Sequence, residues 1–241
     1  MMSDPAGLDL QRLVSRAKLA PFLAYSKSES EAKRLYFWNI ELSACFLGPI
    51  AVVEVAMRNA MNNVICDQFN VTHSTGWHDL ALRDHPRIHL IDRHRDRLNR
   101  AVEKLQRSGV SNPTGDDVVG ATTLGLWVSL ADKGIARVDG GRLDYYQRLW
   151  LPFLHKAFPG YPDPRKPGPL RNALSKFETL RNRVAHHERI YNIDADHHIT
   201  NIVDLASWLD ADLGRYIETS HSVHDCVSAR EAAVNNGDCR L

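Results

Sequence analysis

Apolar residues recur at three- and four-residue spacing through nearly the whole chain, and no stretch alternates apolar and polar residues as a half-buried strand does. That single feature confines the fold to packed helices. The clearest run is Leu170, Leu174, Phe177, Leu180, Val184 and Tyr191, one face of a helix predicted over 170–191. Ser28 followed by Glu31 has the pattern of a capping box and opens a helix predicted to about Leu47. Gly48-Pro49 predicts a break, with Pro49 in the first turn of a second helix reaching about Phe69. Residues 70–85 are expected as loop, a charged helix from Pro86 to about Ser108, and another from about Asp116 to Ala131. Residues 143–158 form an amphipathic segment that Pro152 is expected to kink. Five prolines in the eleven residues 159–169 exclude helix and central strand there. A further helix is predicted over about 198–218, and the polar end as a frayed tail. The expectation is an all-α, single-domain helical bundle over 28–219, with extra helices in an N-terminal segment, 1–27, and a polar tail, 220–241.

Of 241 residues, 44% are hydrophobic and 24% charged, the balance of an ordinary soluble globular protein. Disorder, collagen-like repeats and coiled-coil fibres are thereby excluded for the whole. The net charge of +1 points to no partner. Locally the chain is less neutral, with net values of +4 over 83–107, +7 over 133–190 and −6 over 191–241. A basic cleft for a polyanion is compatible with this pattern, as are solvated helix faces. The first twenty residues lack a signal peptide's apolar run, and the stretch from Leu42 to Met57, interrupted by Pro49 and Glu54, is too short to span a bilayer. A soluble cytoplasmic protein without membrane contact is expected. Cys45, Cys66, Cys226 and Cys239 lie far apart and form no CxxC pair, which fits reduced thiols better than a zinc site or a disulfide framework.

The chemically informative stretch is LRNRVAHHERIYN, residues 180–192. On a regular helix, His187 falls on the apolar stripe between Val184 and Tyr191, while Asn182, His186 and Arg189 share a polar face. Arg181 lies on a third edge with Ala185 and Glu188. His187 is therefore expected to be a partly buried structural histidine and His186 the chemical candidate. An imidazole can move protons at neutral pH, and a guanidinium offers a fixed fork for charge building on phosphate oxygens. That pairing suits phosphodiester chemistry.

Arg181-Asn182-Arg183-Val184-Ala185-His186 matches the R-x4-6-H signature of HEPN-domain ribonucleases, including a polar residue after the arginine. The longer string RNRVAHHERIYN resembles the motif of the Abi-like, abortive-infection branch of that superfamily. LYFWNIELS at 35–43 and EVAMRNAMNN at 54–63 resemble upstream segments of the same branch. The resemblance spans about residues 28–215. It implies a HEPN-like helical bundle that dimerises and pairs two motif helices into one composite site. It further implies a metal-independent endoribonuclease acting in phage defence or as a toxin, with no cofactor and no metal. Carried onto this sequence, Arg181 and His186 take the catalytic positions, and Asn182, Arg183 and Arg189 the RNA-binding or orienting ones. His187, Glu188, Glu54, Arg58 and Asn59 would support them. Expected partners are an RNA substrate, a second copy of the chain, and an antitoxin protein or small regulatory RNA. The superfamily also includes inactive RNA-binding modules, which leaves that reading, and a purely structural helical interaction protein, as alternatives.

Glu54, Arg58 and Asn62 recur every four residues, as an intrahelical ion pair or as a polar edge buttressing the motif helix. His85, His89 and His94 occupy a basic segment and are expected to face solvent or RNA rather than a metal. His197-His198 and the group His221, His224 and Cys226 are not expected to bind metal either. The chain has no P-loop, GxGxxG, GxSxG or HExxH motif, so kinase, dehydrogenase, serine-hydrolase and zincin chemistries lose their main support. Most of the aromatic residues sit within apolar-periodic segments and are expected in the core or at a dimer interface.

Overall fold

Ser28 Oγ accepts the Glu31 backbone N–H at 3.2 Å, and the Glu31 carboxylate accepts that of Lys27 at 2.9 Å. This cap opens a 41-residue helix, Glu29–Phe69, in the computed structural model, which describes residues 4–83, 88–135 and 139–239. The expected break at Gly48-Pro49 is absent. Proline removes one intrahelical hydrogen bond, at a cost of about 3 kcal/mol. Phe46, Ile50 and Val53 are all buried around it, and each contributes about 1.5–3 kcal/mol of burial, which outweighs the defect.

The described helices are α1 (Leu10–Leu13), α2 (Arg16–Tyr25), α3 (Glu29–Phe69), α4 (His78–Leu82), α5 (Asp92–Arg107), α6 (Gly115–Ala121), α7 (Leu124–Leu130), α8 (Gly168–Ala185), α9 (Ala195–Leu209), α10 (Ala211–Ser220), α11 (Val223–Ser228) and α12 (Arg230–Asn236). Helix makes up 71% of the chain and strand 2%, which fixes the class as all-α. A two-residue antiparallel pair, β1 (Gly134–Ile135) with β2 (Leu143–Asp144), is the exception among the described residues. Residues 143–158, expected as one kinked helix, instead run through β2, a wide turn at Tyr146–Trp150 and a 3₁₀ turn at Leu154–Ala157. The helix expected over 116–131 is broken between α6 and α7 at Thr122 and Thr123, and the one over 198–218 between α9 and α10 at Asp210. Pro86, the expected start of the charged helix, lies outside the described residues, as does His85.

The chain divides into two compact units rather than one, and their limits do not follow the expected boundaries at 27 and 219. The first comprises residues 1–51, 179–203 and 216–241; the second comprises 52–178 and 204–215. In the first unit, Leu35, Trp38, Leu42 and Phe46 of α3 are buried, as are Leu180, Val184, Ile199, Ile202, Val223 and Cys226. Through residue 239 the polar end is held by specific contacts rather than frayed. Trp38 Nε1 donates to the Cys226 carbonyl at 3.1 Å, Arg230 lies over the Trp38 ring at 5.0 Å, and Arg34 bonds both Asp4 and the Asn235 carbonyl. A few apolar anchors among polar residues suffice to dock such a segment. All four cysteines are free thiols.

In the second unit Trp127, Trp150, Tyr145, Phe158 and Phe177 are buried, and Trp77 meets Trp127 edge to face at 5.9 Å. The backbones of Gly76 and Gly115 touch here: a Cβ on Gly76, whose φ is +68°, would stand 2.6 Å from the Gly115 Cα. His94, expected at the surface, is 2% exposed, and its Nδ1 lies 3.0 Å from the Tyr145 hydroxyl. His89 is buried as well. Burial, aided by Arg93 and Arg97, depresses the His94 pKa to about 4. Its usual value is about 6.5, so the unfolded chain takes up a proton first as pH falls. The fold is expected to lose up to about 3 kcal/mol from this group between pH 6.5 and 4. Urea unfolding across that range should show the loss, and His94→Gln should flatten it; equal slopes for both proteins would refute the assignment.

Among the described residues, α3 is the helix long and apolar enough to cross a membrane by length and composition, and 44% of its most apolar window is buried within the fold.

Candidate active site

Helix α8 ends six residues earlier than its apolar stripe predicts, and this changes the geometry of the whole motif. The Glu188 N–H bonds the Arg183 carbonyl at 2.8 Å, and the His187 N–H bonds that of Val184 at 3.1 Å. These are the paired bonds of a Schellman cap, with His187 in the left-handed position at φ +52°. Glycine ordinarily occupies that position. The chain then turns away, and His186, His187, Glu188 and Arg189 are all exposed.

His187 is therefore not the buried, stripe-packing histidine expected from a continuous helix. Ile190 and Tyr191 are buried, but they reach the core from beyond the cap. Likewise Arg189 does not share a helical face with Asn182 and His186, because the helix has ended. A packing loss for His187→Ala no longer follows. Instead His187→Gly is expected to stabilise the fold by about 0.5–1 kcal/mol, since it relieves a left-handed backbone without removing a core contact. A denaturation midpoint that falls in this variant would show that the imidazole holds the cap.

The remaining motif residues divide by what they touch. Arg181 Nη1 donates to Asn182 Oδ1 at 3.3 Å, so the polar residue after the arginine orients the guanidinium. Arg183, expected in an RNA-binding or orienting role, bonds the Arg189 carbonyl and helps close the cap. Arg181, Asn182 and Arg183 are half-exposed.

The residue that fixes this loop went unassigned in the sequence, although it lies inside the LYFWNIELS segment. Asn39, 3% exposed on α3, accepts the Ile190 N–H at 2.6 Å and donates to the Glu188 carbonyl at 3.3 Å. Its amide thus replaces the backbone partners that the loop lost when the helix ended. Beyond the clamp, Tyr191 donates to the Pro21 carbonyl at 3.2 Å and packs against Phe22 and Tyr25 at 4.9 and 4.8 Å. The N-terminal segment is thereby part of the support of the motif.

Glu54 and Arg58 form the intrahelical ion pair of the simpler reading, and both are largely buried. Asn62 is buried too: its Oδ1 accepts the Trp77 indole N–H at 3.0 Å and its Nδ2 lies 3.4 Å from His73. Asn59 is exposed. These residues belong to the second unit and the R-x4-H residues to the first. Among the described residues no three His, Cys, Asp or Glu side chains converge as a metal-ligand set. Comparison with family models, with curated proteins and with solved structures finds no match for this chain.

Proposed function

We propose that the protein is a metal-independent endoribonuclease of the HEPN type, with Arg181 and His186 as its catalytic pair. The observation that carries this reading is the exposed imidazole of His186 on a rigidly capped helix end, following an arginine held by its neighbour Asn182. In this mechanism the ribose 2′-OH attacks the adjacent phosphorus and the 5′-oxygen leaves. The products are a 2′,3′-cyclic phosphate and a 5′-OH. His186 moves the proton as base or acid, and Arg181 stabilises the charge on the phosphoryl oxygens.

Five residues on a regular helix correspond to about 140° of rotation, so one motif does not aim both side chains at one point. The R-x4-H pair itself holds one imidazole, His186, whereas the reaction uses an acid and a base. A two-fold pair of chains would supply both. The working unit of this reading is a soluble cytoplasmic homodimer, restrained by an antitoxin protein or a small RNA.

The test is purified full chain with labelled RNA in excess chelator, alongside DNA of the same sequence. RNA cleavage to cyclic phosphate ends is expected, with DNA intact because it lacks the 2′-OH. A requirement for added metal, or equal attack on DNA, would refute the mechanism. RNA binding without cleavage, unchanged in His186→Ala, would replace it with a catalytically silent RNA-binding module. Sedimentation is expected to give a dimer, and specific activity should fall on dilution through its dissociation range; full activity from the monomer would refute the composite site.

A further inference from the structure

The second unit contains a cavity of about 300 Å³ bordered by Lys133, Asp144, Tyr146, Pro167 and Arg171. That volume lies at the small end of the range for small-molecule sites. None of Arg181, Asn182 and His186 borders it.

Arg171 sets its chemistry. The side chain is fixed twice, by an Nε–H bond to the Ala131 carbonyl at 2.9 Å and by stacking over the Tyr146 ring at 5.5 Å from its centroid. Tyr146 is itself held, its hydroxyl donating to the Arg165 carbonyl at 3.0 Å. Arg171 Nη2 is covered from solvent yet has no hydrogen-bond partner. Burial also lowers the Arg171 pKa from its usual value, against the opposing charges of Asp132 and Asp144. Where this fixed guanidinium borders the cavity, an anionic acceptor forms strong, charge-assisted bonds with it. Lys133 adds a second cation at an exposed edge of the cavity. Asp144 is the one carboxylate among the described bordering residues, and its Oδ1 accepts the Gln147 N–H at 3.2 Å, capping the following turn. Among the described bordering residues Arg171 and Lys133 are the cations and Asp144 the carboxylate, and Tyr146 and Pro167 give a flat apolar wall.

We propose that this cavity binds a small phosphate monoester, its phosphate between Arg171 and Lys133 and its organic body along Tyr146 and Pro167. A dianionic phosphate matches two cations better than a carboxylate does, and the guanidinium fork suits its oxygens. The inference does not depend on RNA cleavage, because no residue of the R-x4-H motif takes part.

Isothermal titration of the full chain with adenosine 5′-monophosphate, with adenosine and with benzoate tests it. Saturable binding of the monophosphate at one site per chain is expected, with competition by inorganic phosphate and much weaker binding of adenosine and benzoate. Lys133→Glu, at an exposed position where folding is not at risk, should weaken the monophosphate by about tenfold or more. Arg171→Lys, which keeps the charge but loses the fork, should weaken it comparably at a melting temperature close to the parent's. The double variant Arg181→Ala/His186→Ala should bind it unchanged. Adenosine or benzoate binding as tightly as the monophosphate would overturn the site. So would parental affinity in Lys133→Glu, loss of binding in the motif double variant, or no saturable binding of any probe.

Discussion

His186→Ala is expected to cut RNA cleavage by about 10²–10⁴-fold, the usual contribution of a group that moves a proton in the transition state. The change should leave stability within about 0.5 kcal/mol, because the imidazole is exposed and the cap bonds of this turn run through the backbone. RNA affinity should fall far less than the rate, since proton transfer contributes to the transition state and not to the ground state. His187→Ala is the matched control: it sits one residue on, equally exposed, in the left-handed position. Cleavage rates on both variants, with melting curves beside them, decide between the two histidines. If His187→Ala abolishes cleavage and His186→Ala retains it, the motif's histidine has been assigned to the wrong residue.

The second large effect is structural. Asn39→Ala is expected to destabilise the fold by about 2–3 kcal/mol, because it strands the buried Ile190 N–H and deprives the Glu188 carbonyl of its partner. Asn39→Asp keeps an acceptor for Ile190 but loses the donor and sets a buried carboxylate against the Glu188 carbonyl, so it should cost at least as much. Because the clamp holds the chain just past the cap, cleavage should fall in Asn39→Ala even where the protein remains folded. Urea denaturation and amide exchange at Glu188–Tyr191 are the measurements. Unchanged exchange of the Ile190 amide in the alanine variant would show that the clamp does not hold the loop.

Several features were legible in the residues themselves because they follow from local rules. The helical class, the cap at Ser28 and Glu31, and the buried placement of Trp38, Trp127 and Trp150 each depend on spacing or on neighbours a few positions away. The motif residues were legible as a string, but the stripe extended the helix to Tyr191 because Ile190 and Tyr191 are apolar at nearly the right spacing. Periodicity records which residues are buried. It does not record whether they reach the core on a helix or from beyond its end.

The rest came from contacts between segments far apart in the chain. The left-handed turn at His187 carries no glycine to announce it, and the Asn39 amide that replaces the missing backbone partners comes from about 150 residues away in the chain. The same holds for Pro49, which reads as a break yet lies within α3 because the buried side chains around it outweigh one lost hydrogen bond. It holds again for His94, whose charged surroundings in sequence suggest the surface while the Tyr145 hydroxyl holds it inside. The class of structure and the residue types at the candidate site were readable from the residues alone, since both are local. The site's exposure, its cap and its clamp come from contacts between distant segments, whose energies enter only once the chain has folded.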